Sequence, residues 1–405
     1  MTRPHIAVLT LMGNGHIYPI LPLCSELTIR GYRVTYPTNG MFARKIVETG
    51  AEPVVYDGTQ MSEEEAAELS SKLRFPCGHE TWFDISALSR AKTFECVEET
   101  VSEIQKRYQE DIPDLVIYDR SCIAGRILAS LWGSRVVQVF PHFASYRRFY
   151  FRNKDTFITP EPLLRYALTL DSFLAAHGIK TKDNLFHTEN VNIVLLPKEF
   201  QYRSEAFDER FHFVGALLAP LARRKRVGNG NKLVFISGLS ALREWTVRTE
   251  SFFSLCVEAL ASNKCKCILS VGAEFSEGSL GPLPENFEIN RHTSHLEILR
   301  YADLSISHGG MLTTLEALYS GVPVLAIPPH PGCEEVTYRT VELGLGRRID
   351  KDEATVDAIR GSVEQILVDE ALSYRVSEAA KTFNSYAGVT MAANAVEQVA
   401  NEAAT

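Results

Sequence analysis

Residues Ala302–Pro329, ADLSISHGGMLTTLEALYSGVPVLAIPP, contain the change of period that decides the fold. Leu304-Ser305-Ile306-Ser307 is a short apolar run of strand type, and beyond it Thr313, Leu315, Ala317 and Leu318 fall into helical register. His308-Gly309-Gly310 joins the two, so a strand feeds a helix through a glycine turn, the repeating unit of an α/β fold. The first N–H groups of such a helix lack partners inside it, and the aligned peptide dipoles leave a partial positive charge there. Two readings fit. In one, the turn seats a phosphate: the glycines let the backbone approach closely, and His308, Thr313 and Thr314 add donors. In the other, Gly309 and Gly310 only turn the chain and the threonines cap the helix. Spacing does not separate them, because Gly-Gly before a helix is a weak signal.

The same alternation extends to both sides. Lys232–Ile236, Cys267–Val271, Phe287–Asn290, Leu304–Ser307 and Val324–Ile327 read as the strands of one series. Nearer the N-terminus, His5–Leu11 reads as a buried strand, Met12–Gly15 as a turn, and the stretch from His16 to about Arg30 as one helix. A strand at Val34–Pro37, a helix near Phe42–Thr49 and a strand at Pro53–Tyr56 follow. Two polar helical stretches lie between Ser62 and Tyr108. Further strands are Asp114–Tyr118, ending at Asp119, then Val191–Leu196 and Phe211–Val214. Two doubly wound parallel sheets result. Such sheets bind ligands at the carboxyl ends of their strands, which places Asp119 on one edge with the Gly15-His16 turn. Gly13-x-Gly15 lacks a third glycine and no acidic residue ends the second strand, so dinucleotide binding is rejected. The expected division is a first domain over 1–215, a linker over 216–230, a second domain over 231–385 and a closing helix over 386–405. The run Arg223–Arg226, between Ala-Pro-Leu and Gly-Asn-Gly-Asn, reads as solvated linker.

A chain of 405 residues, 45% hydrophobic, buries a sizeable core and suits two domains. No apolar run approaches the ~20 residues a membrane span needs, and the N-terminus lacks a basic-then-apolar leader, so the expected compartment is the cytoplasm. The net charge of −8 argues against a nucleic-acid partner. Eight scattered cysteines indicate neither disulfides nor zinc, and Cys265-x-Cys267 on a strand reads as core packing. Asp350-x-Asp352 imitates an acidic metal motif, but an aspartate helix cap explains it more simply.

His308-Gly309-Gly310, Thr313-Thr314-Leu315-Glu316-Ala317 and Gly321-Val322-Pro323 together resemble the donor box of the UDP-glycosyltransferase superfamily, most closely its bacterial macrolide glycosyltransferase branch. The likeness continues into Glu342–Gly346 and reappears at Gly13–Pro19 and Ile117–Asp119. It implies a GT-B fold, two Rossmann-like doubly wound domains facing a central cleft. The first would hold the acceptor and the second the nucleotide sugar, with the closing helix crossing back onto the first.

The resemblance implies an inverting, metal-independent transfer from a UDP- or dTDP-sugar to a hydroxyl of a small, largely apolar natural product. His16 becomes the general base, since imidazole titrates near working pH, and Asp119 orients it. Donor contacts carried over by position are Gly15, Ser240 near the diphosphate, His308, Gly309, Gly310, Thr313 and Thr314 on the phosphates, and Glu316 on the ribose hydroxyls. In Arg291–Leu296 the family's aromatic-Val-Pro-Gln is replaced by His292, Thr293, Ser294 and His295. His292 would stack on the base and backbone groups of Thr293 would read its edge. Where an acidic residue and Gln usually grip a hexose, this chain has Gly332-Cys333, with Glu334 next. A site without those acceptors loses discrimination for a fully hydroxylated sugar, so the expected donor is other than UDP-glucose unless Glu334 takes the role. The aromatics of the His142–Thr188 segment, with Phe143 and Tyr146 foremost, and Trp82 are candidates for the acceptor wall or, equally, for core. No cofactor is expected beyond the nucleotide sugar as co-substrate, and a homodimer is one possible assembly. A GT-B helper protein with a degenerate donor box is the alternative reading.

Overall fold

Among the residues that the computed structural model describes, 3–57, 94, 96–144, 160–181, 184, 187–218, 232–238, 243–262, 264–271, 275, 277–291, 293–329 and 331–402, two compact units separate. One is Met1–Leu218 with Ala387–Thr405, the other Ala219–Tyr386. The first is built on strands β1 (His5–Leu9), β2 (Arg33–Thr38), β3 (Glu52–Val55), β4 (Leu115–Asp119), β5 (Arg135–Phe140), β6 (Asn192–Val194) and β7 (Phe211–Phe213). They lie in the order β3-β2-β1-β4-β5-β6-β7, every pair parallel. Strand alternation sorts the core into two layers. Ile6, Val8, Leu115 and Ile117 enter one cluster, while Ala7, Leu9, Val116 and Tyr118 enter the other, so both faces of the central strands are dry.

The predicted single helix from His16 to Arg30 is two helices, Asn14–Ile17 and Leu21–Ile29. Pro19 accounts for the break, since it has no N–H for the helical ladder and its ring collides with the carbonyl four residues back. Strand β5 was not recognised in the sequence; it adds a carboxyl end immediately before Pro141 and His142.

The closing helix Gly388–Asn401 belongs to the first unit. Ala392, Ala393, Val396 and Ala400 share a core with Leu23, Leu27 and Val139. Arg30 Nη1 donates to Glu397 at 2.6 Å and to Asn394 Oδ1 at 2.8 Å. Arg135 Nη1 donates to the carbonyls of Val399, Ala400 and Glu402 at 3.1, 2.6 and 2.9 Å, answering groups that a helix end leaves without partners. Ala216 and Leu217, at the head of the expected linker, are buried in this unit.

The second unit carries β8 (Leu233–Ser237), β9 (Lys266–Ser270), β10 (Phe287–Asn290), β11 (Leu304–Ser307), β12 (Val324–Ala326) and β13 (Gly346–Arg348). Their order is β10-β9-β8-β11-β12-β13, again all parallel. Strand β13 also escaped the sequence reading. Asp350 precedes the single turn Lys351–Glu353 without a side-chain capping bond; its carboxylate pairs with Arg348 instead, which corrects the cap assignment. The helix Val356–Val368 is capped by Thr355, whose hydroxyl accepts from Ala358 N at 3.2 Å. Strand order reverses between β1 and β4 in one sheet and between β8 and β11 in the other. Ligands of open α/β sheets bind at the carboxyl side of such switch points.

Candidate functional site

At the first switch point the turn after β1 delivers His16, and the end of β4 delivers Asp119. His16 Nδ1–H donates to Asp119 Oδ2 in a short contact. Asp119 is fully buried, and its other oxygen accepts from Ser121 N at 2.8 Å. An ionised carboxylate only accepts, so Nδ1 carries the proton and the lone pair resides on Nε2. His142, which follows β5, sets its ring edge-on to His16 at 5.1 Å between centroids and 74°. Burial, reinforced by His16, pushes the His142 pKa down to about 4 against the opposing pull of Asp119. A neutral neighbour therefore flanks His16. His142 was not assigned in the sequence; the signal lay in its position behind an unrecognised strand on the same sheet edge. Gly15 lies beneath it, a Cβ there standing 4.0 Å from His142 Cε1. Phe143 is buried, with its ring stacked on Phe200 at 5.8 Å and tilted against Tyr202 at 4.9 Å, in the manner of a core aromatic.

At the second switch point the helix Met311–Tyr319 begins at Gly310 without a side-chain cap. Gly309 has φ +74°, and a Cβ on it would stand 2.3 Å from Thr337 Oγ1; this glycine is required by packing. Among the described residues, Gly310 has nothing within 4 Å of its Cβ position, so no described group covers that point at the helix start. His308 is buried against Phe252, ring centroids 4.2 Å apart. Thr313 is partly exposed. The Thr314 hydroxyl is buried and finds no hydrogen-bond partner among the described residues. The far end of the helix is held by Asn384, whose Nδ2 donates to Tyr319 O at 2.8 Å.

Glu316, on the same helix, accepts from His295 Nδ1 at 3.0 Å through Oε2. Thr293 is differently placed from expectation: its N–H is taken by Asn290 Oδ1 at 2.9 Å, and its carbonyl accepts from Asn290 Nδ2 at 2.9 Å. That N–H is no longer available to read a base. Cys333 is buried, its thiol pushed up to about 12 by burial and the nearby Glu334. Glu334 faces Arg348 at 3.7 Å. Ser240, His292, Tyr146, Trp82 and the Arg223–Arg226 run lie outside the described residues. Among those described, no three His, Cys, Asp or Glu side chains cluster as metal ligands, and no helix is long and apolar enough to cross a membrane.

Two parallel α/β units with polar clusters at their switch points define a GT-B glycosyltransferase, and the comparisons agree. Residues 255–398 match the C-terminal domain family of erythromycin biosynthesis protein CIII-like proteins. The NDP-glycosyltransferase YjiC of Bacillus licheniformis is 32% identical over 98% of both chains. The demethyllactenocin mycarosyltransferase of Streptomyces fradiae is 29% identical over 99% of this chain and 87% of its own. The calicheamicin glycosyltransferase CalG4 superposes over the full length of both chains with a TM-score of 0.80 at 28% identity. The chain belongs to the macrolide-type glycosyltransferases of the UDP-glycosyltransferase superfamily, and it is a nucleotide-sugar-dependent glycosyltransferase.

Proposed function

We propose that this enzyme moves a sugar, with inversion and without a metal, from a nucleoside diphosphate to a hydroxyl of a small, largely apolar natural product. The observation that carries the reading is the His16–Asp119 pair. His16 Nε2 takes the proton of the acceptor hydroxyl, whose oxygen forms the new bond to the anomeric carbon. The bond from that carbon to the diphosphate breaks, and its electron pair leaves with the phosphate. Asp119 fixes the tautomer and faces the imidazolium as it forms. A single displacement inverts the anomeric centre. The uncapped start of Met311–Tyr319, with the partly exposed Thr313, meets the charge growing on the diphosphate. Relatives named for oleandomycin and calicheamicin support a natural-product acceptor.

The donor is read from what the hexose position lacks. Cys333 is a buried neutral thiol and Glu334 is paired with Arg348, which leaves fewer acceptors for sugar hydroxyls. We therefore assign a donor poorer in hydroxyls than glucose, such as a deoxysugar or a pentose. A panel of UDP- and dTDP-sugars, assayed with and without EDTA and beside His16→Ala, tests all parts together. The expected result is transfer from deoxysugar or pentose donors, unaffected by EDTA and lost in His16→Ala. Selective use of UDP-glucose would refute the donor assignment, and loss of activity in EDTA the metal-free mechanism.

A further inference from the structure

His295 opens the short helix His295–Leu299 behind Ser294, and both of its ring nitrogens are engaged. Nδ1 lies 3.0 Å from Glu316 Oε2 and Nε2 lies 3.0 Å from Ser270 Oγ, at the carboxyl end of β9. Phe235 meets the ring edge-on at 5.1 Å. The carboxylate of Glu316 only accepts, so Nδ1 is the protonated nitrogen and Nε2 accepts from the Ser270 hydroxyl. The chain Ser270–His295–Glu316 thus runs in one direction, hydroxyl to imidazole to carboxylate. It joins three elements of the second unit, β9 and the helices carrying His295 and Glu316. Glu316 keeps only 13% of its side chain exposed, so one oxygen pinned by His295 restricts how the other is presented.

From this we infer that His295 is a positioning residue for the donor nucleotide. It clamps Oε2 of Glu316 and so aims Oε1 at the pentose hydroxyls, while Ser270 holds the imidazole in the required tautomer. The inference rests on the assignment of Glu316 to the pentose made above. A hydrogen bond to an ionised group is stronger and more directional than one between neutral groups, so the clamp fixes a geometry that a flexible glutamate side chain does not hold unaided. The clamp also makes the site sensitive to the pentose. A carboxylate held in one orientation distinguishes a ribose, with two neighbouring hydroxyls, from a 2′-deoxyribose better than one that rotates.

The test is a double-mutant cycle on full-length enzyme, read by calorimetric titration with UDP and with 2′-deoxy-UDP. Thermal melts confirm that each variant is folded. His295→Ala should weaken UDP roughly tenfold, the loss of one charge-assisted hydrogen bond, and should bring the two nucleotides closer in affinity. His295→Gln, whose amide N–H can still reach Glu316, should recover most of the loss. In a Glu316→Ala background, His295→Ala should cost nothing further. Additive losses in that background, or failure of His295→Gln to rescue, overturn the clamp while leaving the donor site standing. If wild-type enzyme binds neither UDP nor dTDP, the donor-site assignment fails as well.

Discussion

At the scale of single residues, His16 and His295 each have a ring nitrogen hydrogen-bonded to a carboxylate. His16 is tied to a buried carboxylate with both oxygens engaged, an arrangement that places the proton on Nδ1 and orients the ring. We expect His16→Ala to lower kcat by roughly 10²–10⁴-fold, the usual worth of a positioned general base. Asp119→Asn, which fixes the wrong tautomer, should cause a comparable loss with little change in nucleotide affinity. Initial-rate transfer assays and UDP titration separate the two effects. His142 gives a prediction of a different kind. Its folded pKa of about 4 lies below the ordinary 6.5, so between those values the unfolded chain binds more protons than the native one. Stability therefore rises with pH across that window, is complete above 6.5, and is lost as the pH falls toward 4. The expected swing is roughly 1–3 kcal/mol. Urea unfolding at pH 4.5 and 7 should show it in the wild type and show it reduced in His142→Phe, whose side chain carries no proton.

At the scale of elements, two adjacent glycines perform separate tasks that the sequence presents as one motif. Gly309 turns the chain at positive φ and leaves room for Thr337; Gly310 leaves the helix start uncovered. Gly309→Ala should destabilise the fold by roughly 2–4 kcal/mol, the sum of a left-handed backbone penalty and a forced shift of Thr337. Gly310→Ala, at φ −64° with open space around it, should leave stability within about 0.5 kcal/mol. If the turn seats the diphosphate as proposed, it should still weaken UDP and dTDP binding by crowding that approach. Melting temperature and titration calorimetry on the pair test this division. Equal destabilisation by both would refute it. The strand-turn-helix identity of this stretch was legible because periods of 2 and 3.6 meet at two glycines. Strands β5 and β13 were not: Arg135-Val-Val-Gln-Val-Phe was passed over although Gly133-Ser134 and Pro141 bracket it, and Gly-Arg-Arg is too short and polar to show a period of 2.

At the scale of the whole molecule, the chain returns at its end to the unit where it began. The helix Gly388–Asn401 completes the apolar layer over β1, β4 and β5, and Arg135 gathers its last carbonyls. Truncation after Tyr386 should expose Leu23, Leu27 and Val139 to water and reduce soluble yield and thermal stability sharply. Arg135→Ala, which removes only the polar fastening, should cost about 1–2 kcal/mol, measured by urea unfolding. If the truncated chain melts like the intact one, the helix is not part of that core.

What the sequence determined by itself was the alternation of strands and helices, the two sheets, and the histidine and carboxylate at matching strand ends. Those follow from short-range periodicity and from residues whose chemistry is visible without knowing their neighbours. The tertiary structure alone decided which groups touch. It placed His142 beside His16, bound Glu316 to His295 and Ser270, drew Asp350 and Glu334 toward Arg348, and occupied the Thr293 backbone with Asn290. Most of these partners come from different strands and helices, and even the close-lying ones meet through turns whose geometry local pattern does not set. Distance along the chain says nothing about separation once parallel strands bring their carboxyl ends to a common edge.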